Sequence, residues 1–408
     1  MPSTSHSILI IGGGSAGIAA AASILKRRPG IDIAIVEPSD THAYQPGWTM
    51  VGGGVFDVAT TVRPMASVMP KGVRWIKQAA VSFQPEDNQV TLKDGGTVGY
   101  DVLVVAPGIR LAWEKIAGLT ETLGQNGVTS NYRADLAPYT WELVQQLRGG
   151  KAIFTQPAMP IKCAGAPQKA MYLACDHWRR AGVLDNIQVD FRNAGGVLFG
   201  VADYVPALME YVGKYGINLE LGSNLVAVDG PARCATFATT SGEITVDFDM
   251  MHVVPPQVAP QCLADSPLAA DSGFADVDQH TLQHVRYPNV FALGDGGSTP
   301  NAKTAAAARK QAPVVAVNVL RQLDSKGPAA GYDGYGSCPL TVERGKIVLA
   351  EFAYGGKLAP SFPTWLLDGT KPARLSWMLK ADALPWIYWN GMLKGREWLA
   401  GPGGLIAQ

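Results

Sequence analysis

Two cysteines, far apart in this 408-residue chain, carry the settings from which sulfur chemistry is built. Cys163 lies in Ile161-Lys162-Cys163-Ala164-Gly165-Ala166-Pro167-Gln168-Lys169, just ahead of a predicted helix from Pro167 to about Arg180. Pro167 suits an early helical position. A thiol beside a helix N-terminus has its thiolate stabilised, and nucleophilicity follows thiolate availability. Cys338 lies in Tyr332-Asp333-Gly334-Tyr335-Gly336-Ser337-Cys338-Pro339-Leu340, which reads as a turn-rich loop rather than a core strand. Spacing alone leaves open whether the two pair. Cys175, Cys234 and Cys262 fall outside such motifs and read as small buried hydrophobes. No cysteines or histidines show metal-ligand spacing such as C-x-x-C, so no metal is expected. His252 reads as a packed core residue rather than a base.

The elements around Cys163 show what it replaces. Lys151–Phe154 and Ile187–Phe191 read as the first two strands of a nucleotide-binding α/β unit. A glycine-rich turn belongs between them, yet the chain offers Gln156-Pro157-Ala158-Met159-Pro160 and then the cysteine. The prolines remove backbone donors. The second strand ends in Arg192-Asn193 rather than an acid, so NADH is not expected as a direct donor.

The N-terminal counterpart is intact. Ile8-Leu9-Ile10-Ile11 reads as a buried parallel strand, followed by Gly12-Gly13-Gly14-Ser15-Ala16-Gly17 and an alanine-rich helix. Gly12, Gly14 and Gly17 satisfy G-x-G-x-x-G, for the tight turn, the backbone's approach to a pyrophosphate, and close helix–strand packing. The phosphates would meet the helix N-terminus at Ser15 and Ala16. A second strand, Ile33–Val36, ends at Glu37, where a carboxylate accepts ribose hydroxyls. Val102 to Gly108 and Asn289 to Asp295 resemble segments of flavoproteins with two dinucleotide-binding domains, which favours FAD over NAD. Pro107, Gly108, Gly294 and Asp295 then join the cofactor residues, with Gln45, Ala80 and Thr304. A predicted helix from Thr304 to Leu323 points its positive end at the flavin, and Lys303 reads either as added charge there or as a solvated lysine.

Both cysteine motifs resemble those of the sulfide:quinone oxidoreductases, in the subgroup related to the mitochondrial enzyme. Glu37-Pro38, Tyr44-Gln45-Pro46-Gly47-Trp48 and Thr281 to Asp295 resemble it as well, so the likeness spans nearly the whole chain. Gly296 departs from relatives that carry cysteine there, and Gly336-Ser337 from those with threonine before the serine. The resemblance implies a redox-active pair between Cys163 and Cys338, attacked by hydrogen sulfide. Electrons would pass to FAD and then to a membrane quinone, and the sulfur to sulfide or a small thiol. It also places Phe352, Tyr354 and Trp386 near the quinone. The rivals are a type II NADH:quinone oxidoreductase, a flavocytochrome-type sulfide dehydrogenase and a non-catalytic thiol sensor.

The fold class expected is α/β: two tandem Rossmann-like domains of the flavoprotein disulfide reductase type, plus a C-terminal membrane-facing helical region. Residues 1–115 and 280–330 would form the FAD domain, 116–279 the second domain and 331–408 the C-terminal region. Half of the ten tryptophans lie in that last region: Trp365, Trp377, Trp386, Trp389 and Trp398. With flanking Lys371, Arg374, Lys380, Lys394 and Arg396, they suit helices lying on a bilayer surface. Formal net charge is zero, which argues against a nucleic-acid partner. No uncharged apolar run reaches spanning length, and the first strand leaves no room for a signal peptide. The expected place is peripheral, on the cytoplasmic face of the bacterial inner membrane or the equivalent organellar membrane. A homo-oligomer is possible.

Overall fold

The computed structural model describes residues 4–405, so residues 1–3 and 406–408 of the expected domain ranges lie outside it. Strand β1 (Thr4–Ile11) feeds through the glycine turn into helix α1 (Ser15–Arg27), and β2 (Ile33–Val36) returns beside β1 in parallel. Strands β3 (Val73–Ile76), β4 (Ala80–Gln84), β5 (Gln89–Leu92) and β6 (Thr97–Val105) complete the first part of the sheet. Its order is β3-β2-β1-β6-β5-β4. The apolar run Ile8–Ile11 is buried throughout, as a parallel strand covered on both faces requires.

A second sheet is wholly parallel and follows the same logic. It uses β7 (Val128–Thr129), β8 (Gly150–Gln156), β9 (Ile187–Asn193), β10 (Asn218–Leu221) and β11 (Met250–His252), in the order β7-β11-β8-β9-β10. Helix α2 (Ala166–Arg180) connects β8 to β9, beginning one residue before the predicted start. An antiparallel meander at 224–247 lies beyond this sheet.

The chain then re-enters the first sheet. Strand β12 (Val290–Ala292) pairs with β6 and leads to helix α3 (Ala305–Leu323). Thr304 caps α3 by accepting from Ala307 N at 3.1 Å. Alanines on both α1 and α3 (Ala19, Ala20 and Ala21; Ala307, Ala308 and Ala312) share one buried core, where small side chains let the two helices approach each other.

Cys338 corrects the sequence reading. It lies in strand β13 (Gly336–Glu343), which pairs with β14 (Lys346–Phe352) as a two-stranded hairpin. Gly334, Gly336 and Pro339 give the segment a turn-like composition. A two-stranded ladder, however, has two open edges, where a proline is tolerated. Cys234 and Cys262 also depart from expectation: both are partly exposed, while Cys175 is fully buried. His252 is buried, as a core histidine should be, and accepts a hydrogen bond from Asn131 N at 2.9 Å.

The C-terminal region folds back over the first sheet's helices. Helix α4 (Arg374–Met378), a wide π-turn at Leu379–Ala383 and helix α5 (Leu384–Asn390) follow one another. No helix among the described residues is long and apolar enough to cross a membrane.

Candidate active site

The glycine turn is shaped by close approach. A Cβ on Gly12 (φ +102°) would sit 2.2 Å from Ala106 O, and one on Gly17 would sit 1.9 Å from Gly12 O. Around Gly14, by contrast, lies open space, and α1 has no side-chain cap. The first N–H groups of α1, with Ser15 and Ala16 among them, are therefore available to an anion. Glu37 directly follows β2 and accepts from Gly13 N at 2.8 Å. Gly294 packs onto Ala16, and Pro107 onto Gly296, with Gly108 next in a positive-φ turn.

The Asp295 carboxylate accepts no hydrogen bond from any described residue, and burial pushes it up. A dinucleotide that brings hydroxyl donors to Asp295 and a pyrophosphate to Gly14 fits this cradle; FAD does both. Lys303 is otherwise engaged: its ammonium donates to Asp295 O and Gly297 O at 2.7 and 2.9 Å and lies over the Phe274 ring. Burial pulls it down to about 8. Gln45 accepts from Lys162 Nζ at 2.6 Å. Ala80 opens β4 beside a surface cleft shared with Phe83 and Cys262.

The two sulfurs meet. Cys163 Sγ and Cys338 Sγ are 3.4 Å apart, although their positions differ by 175 in the sequence. Cys163 adopts φ +52°, and its turn is pinned from several sides. Its N–H donates to Lys303 O at 2.8 Å, its carbonyl accepts from Ala166 N at 2.7 Å, and Tyr132 OH donates to Lys162 O at 3.0 Å. The turn thus hangs on the segment that carries Asp295. Lys169 Nζ donates to Cys163 Sγ at 3.1 Å. The Cys338 thiol and this ammonium hold Cys163 well below the usual thiol range. Contact with Cys163, together with burial, pushes Cys338 well up.

Sequence reasoning named neither Lys169 nor Lys380 as a site residue. Both are only 3% exposed, and neither forms an ion pair with a carboxylate among the described residues. Lys380 donates to Pro46 O at 2.9 Å, and burial and Lys169 pull it down to about 7 although both cysteines favour its charge. The one signal for Lys169 was its place six residues after Cys163, within the motif; nothing local marked Lys380.

Gly165 makes the sulfur contact possible. A Cβ there would lie 2.7 Å from Cys338 Sγ and 2.3 Å from Leu340 Cδ2. The start of α2, where a dinucleotide-binding unit seats phosphate, is occupied here by sulfur. Gly165→Ala is expected to push β13 off α2 and prevent pairing. Thiol titration of the air-oxidised, denatured protein should then find two more free thiols than in the parent; an unchanged count would refute this role.

Phe352, Tyr354 and Trp386 pack in three different neighbourhoods. Phe352 stacks edge-on with Phe199, Tyr354 lies against Tyr332 and His280, and Trp386 stacks on Trp398 at the surface. The second unit's nucleotide edge is also filled from within: Arg192, at the end of β9, pairs with buried Asp190 at 3.2 Å.

The two dinucleotide-type units place the fold in the pyridine nucleotide-disulphide oxidoreductase class, and residues 6–139 match the family so described. The mitochondrial sulfide:quinone oxidoreductase of Dictyostelium discoideum is 43% identical over 392 residues, covering 95% of this chain and 86% of the relative. That of Mus musculus is 38% identical, covering 96% and 87%. With these relatives the chain belongs to the sulfide:quinone oxidoreductase family. The solved sulfide:quinone oxidoreductase of Aquifex aeolicus, 18% identical, shares the fold with a TM-score of 0.77 over 95% of this chain and 92% of its own.

Proposed function

We propose that this protein oxidises hydrogen sulfide to sulfane sulfur through Cys163 and Cys338 and delivers two electrons to a membrane quinone. The observation that carries the reading is the sulfur pair, 3.4 Å apart beside Lys169, in the place of a second nucleotide turn. That distance suits a bridged pair. Two bonds of about 2.05 Å at an ordinary angle through one bridging sulfur span roughly 3.3 Å, and a small side-chain rotation closes a direct bond.

Sulfide enters as HS⁻. Its lone pair attacks a sulfur of the Cys163–Cys338 disulfide, the S–S bond breaks, and one cysteine becomes a persulfide while the other leaves as thiolate. The Lys169 ammonium favours Cys163 as the leaving thiolate, since exchange is faster from a sulfur that is stable when charged. Cys338 then carries the persulfide, whose outer sulfur passes to a second nucleophile such as sulfide or a small thiol. FAD, when bound, supplies the two-electron step between sulfur and quinone. Gly12, Gly14 and Gly17 would hold its pyrophosphate, Glu37 its ribose and Asp295 its ribityl chain, with Gln45, Ala80, Pro107, Gly108, Gly294 and Thr304 as further contacts. Lys303 serves by fixing the Asp295 loop.

The C-terminal surface supports a peripheral place on the membrane. Trp365, Leu366, Leu375, Met378, Trp386, Trp398 and Leu399 are all exposed there, with basic residues among them. The place proposed is an organellar membrane, as the mitochondrial relatives support, or the cytoplasmic face of a bacterial inner membrane.

Anaerobic addition of sulfide to the purified protein should bleach the flavin spectrum, and a soluble quinone should restore it. NADH without sulfide should leave the spectrum unchanged. Bleaching by NADH alone, or none by sulfide, would overturn the proposal.

A further inference from the structure

The inward side of the C-terminal helices meets the rest of the chain at the phosphate turn. Tyr388, on α5, is 3% exposed, and its hydroxyl lies 2.7 Å from Ser15 Oγ and 2.6 Å from His42 Nε2. His42 in turn sets Nδ1 3.1 Å from Gly13 O. Gly13 stands between the first two fingerprint glycines, and Ser15 opens α1.

Chemistry fixes the direction of this chain of hydrogen bonds. A carbonyl only accepts, so His42 Nδ1 carries the proton. His42 is 2% exposed and burial pulls it down to about 4, so the ring is neutral and Nε2 is a bare acceptor. The Tyr388 hydroxyl therefore donates to Nε2 and accepts from Ser15. Its other acceptor, Ala43 O, is 3.5 Å away, too long to compete. Ser15 spends its hydroxyl proton on Tyr388, which leaves the backbone N–H groups of the turn to meet a phosphate.

We propose that Tyr388 is a positioning residue for FAD: acting through Ser15 and through His42 on Gly13, it holds the glycine turn in its phosphate-binding shape. The C-terminal segment thereby locks the cofactor in place from 373 positions away. Two further tethers hold the segment down. Glu397 receives a bidentate pair from Arg27 as well as the Ser23 hydroxyl, and Lys380 donates to Pro46 O. The inference rests on FAD occupying this turn.

Tyr388→Phe removes one oxygen and keeps the ring against Tyr44, whose centroid is 4.7 Å away. Buried His42 Nε2 and Ser15 Oγ would then lose their shared partner. FAD release from the diluted holoenzyme, read as rising flavin fluorescence, is expected to quicken roughly ten- to a hundredfold, with the thermal midpoint nearly unchanged. Ser15→Ala should quicken release as well, and the double variant should be no faster than the faster single. Parental release from Tyr388→Phe would overturn the proposal. Independent, multiplying effects in the double variant would also overturn it, because Tyr388 would then act by packing alone. The measurement reads cofactor retention only, so a holoenzyme inert to sulfide would defeat the proposed function and leave this result standing.

Discussion

Cys163→Ser and Cys338→Ser, each made alone, are expected to keep FAD bound while flavin reduction by sulfide falls by about a thousandfold or more. Neither variant can form the sulfur–sulfur bond that HS⁻ must break, because a hydroxyl does not take part in thiol–disulfide exchange. The fold should survive. Serine is close to isosteric, and its cost at the buried Cys338 position is that of one buried hydroxyl, about 1–3 kcal/mol, within a typical stability of roughly 5–15 kcal/mol. The flavin spectrum and the thermal midpoint serve as controls. Sustained sulfide turnover by either serine variant would remove the cysteine pair from the pathway.

Lys169→Met tests what the buried ammonium does. Methionine fills a similar volume without charge, so the change removes the donor 3.1 Å from Cys163 Sγ and little else. In the reduced parent the Cys163 thiol is held well below its ordinary range by the Cys338 thiol and by Lys169. The sign follows directly. With a lowered pKa the thiolate persists as pH falls through the usual thiol value of about 8.5, and it is lost only on passing the lowered value. Alkylation of the parent should therefore stay fast as pH falls below the usual thiol value. In Lys169→Met the Cys338 thiol still favours the thiolate but the ammonium no longer does, so the rate should begin to fall at a higher pH than in the parent. Sulfide-driven flavin reduction near neutral pH should drop by about one to two orders of magnitude. Matching alkylation profiles in parent and variant would show that Lys169 does not set the thiolate. Lys380 shares the pocket and is pulled to about 7, so its positive charge fades as pH rises through neutrality.

The N-terminal half of the site was legible because local sequence dictates it. The strand, the glycines, α1 and Glu37 follow one another within 37 residues, and each demand is met by adjacent backbone. Cys163 was legible for the same reason: it stands just before a helix whose start the sequence marks with Pro167. What escaped depends on distant parts of the chain. Cys338 looked like a loop residue because Gly336 and Pro339 are turn formers, and only β14 makes that segment a strand. Lys169 is only the last residue of the cysteine motif, and Lys380 one of the bases expected on the bilayer face, until the tertiary fold removes their solvent and sets both beside the sulfurs. The hydrogen bonds joining Tyr388 to Ser15 and His42 leave no trace in local pattern at all.

The meeting of β13 with the start of α2 also bears on how firmly the chain is tied together. Any covalent link between Cys163 and Cys338 encloses a loop that spans 175 positions. Closing so long a loop restricts the unfolded chain by about 5 kcal/mol in the entropic account. A catalytic cycle that makes and breaks this link would alternately staple and release the C-terminal hairpin. The oxidised resting form would be the tougher molecule, and the reduced form the one more exposed to heat and proteases.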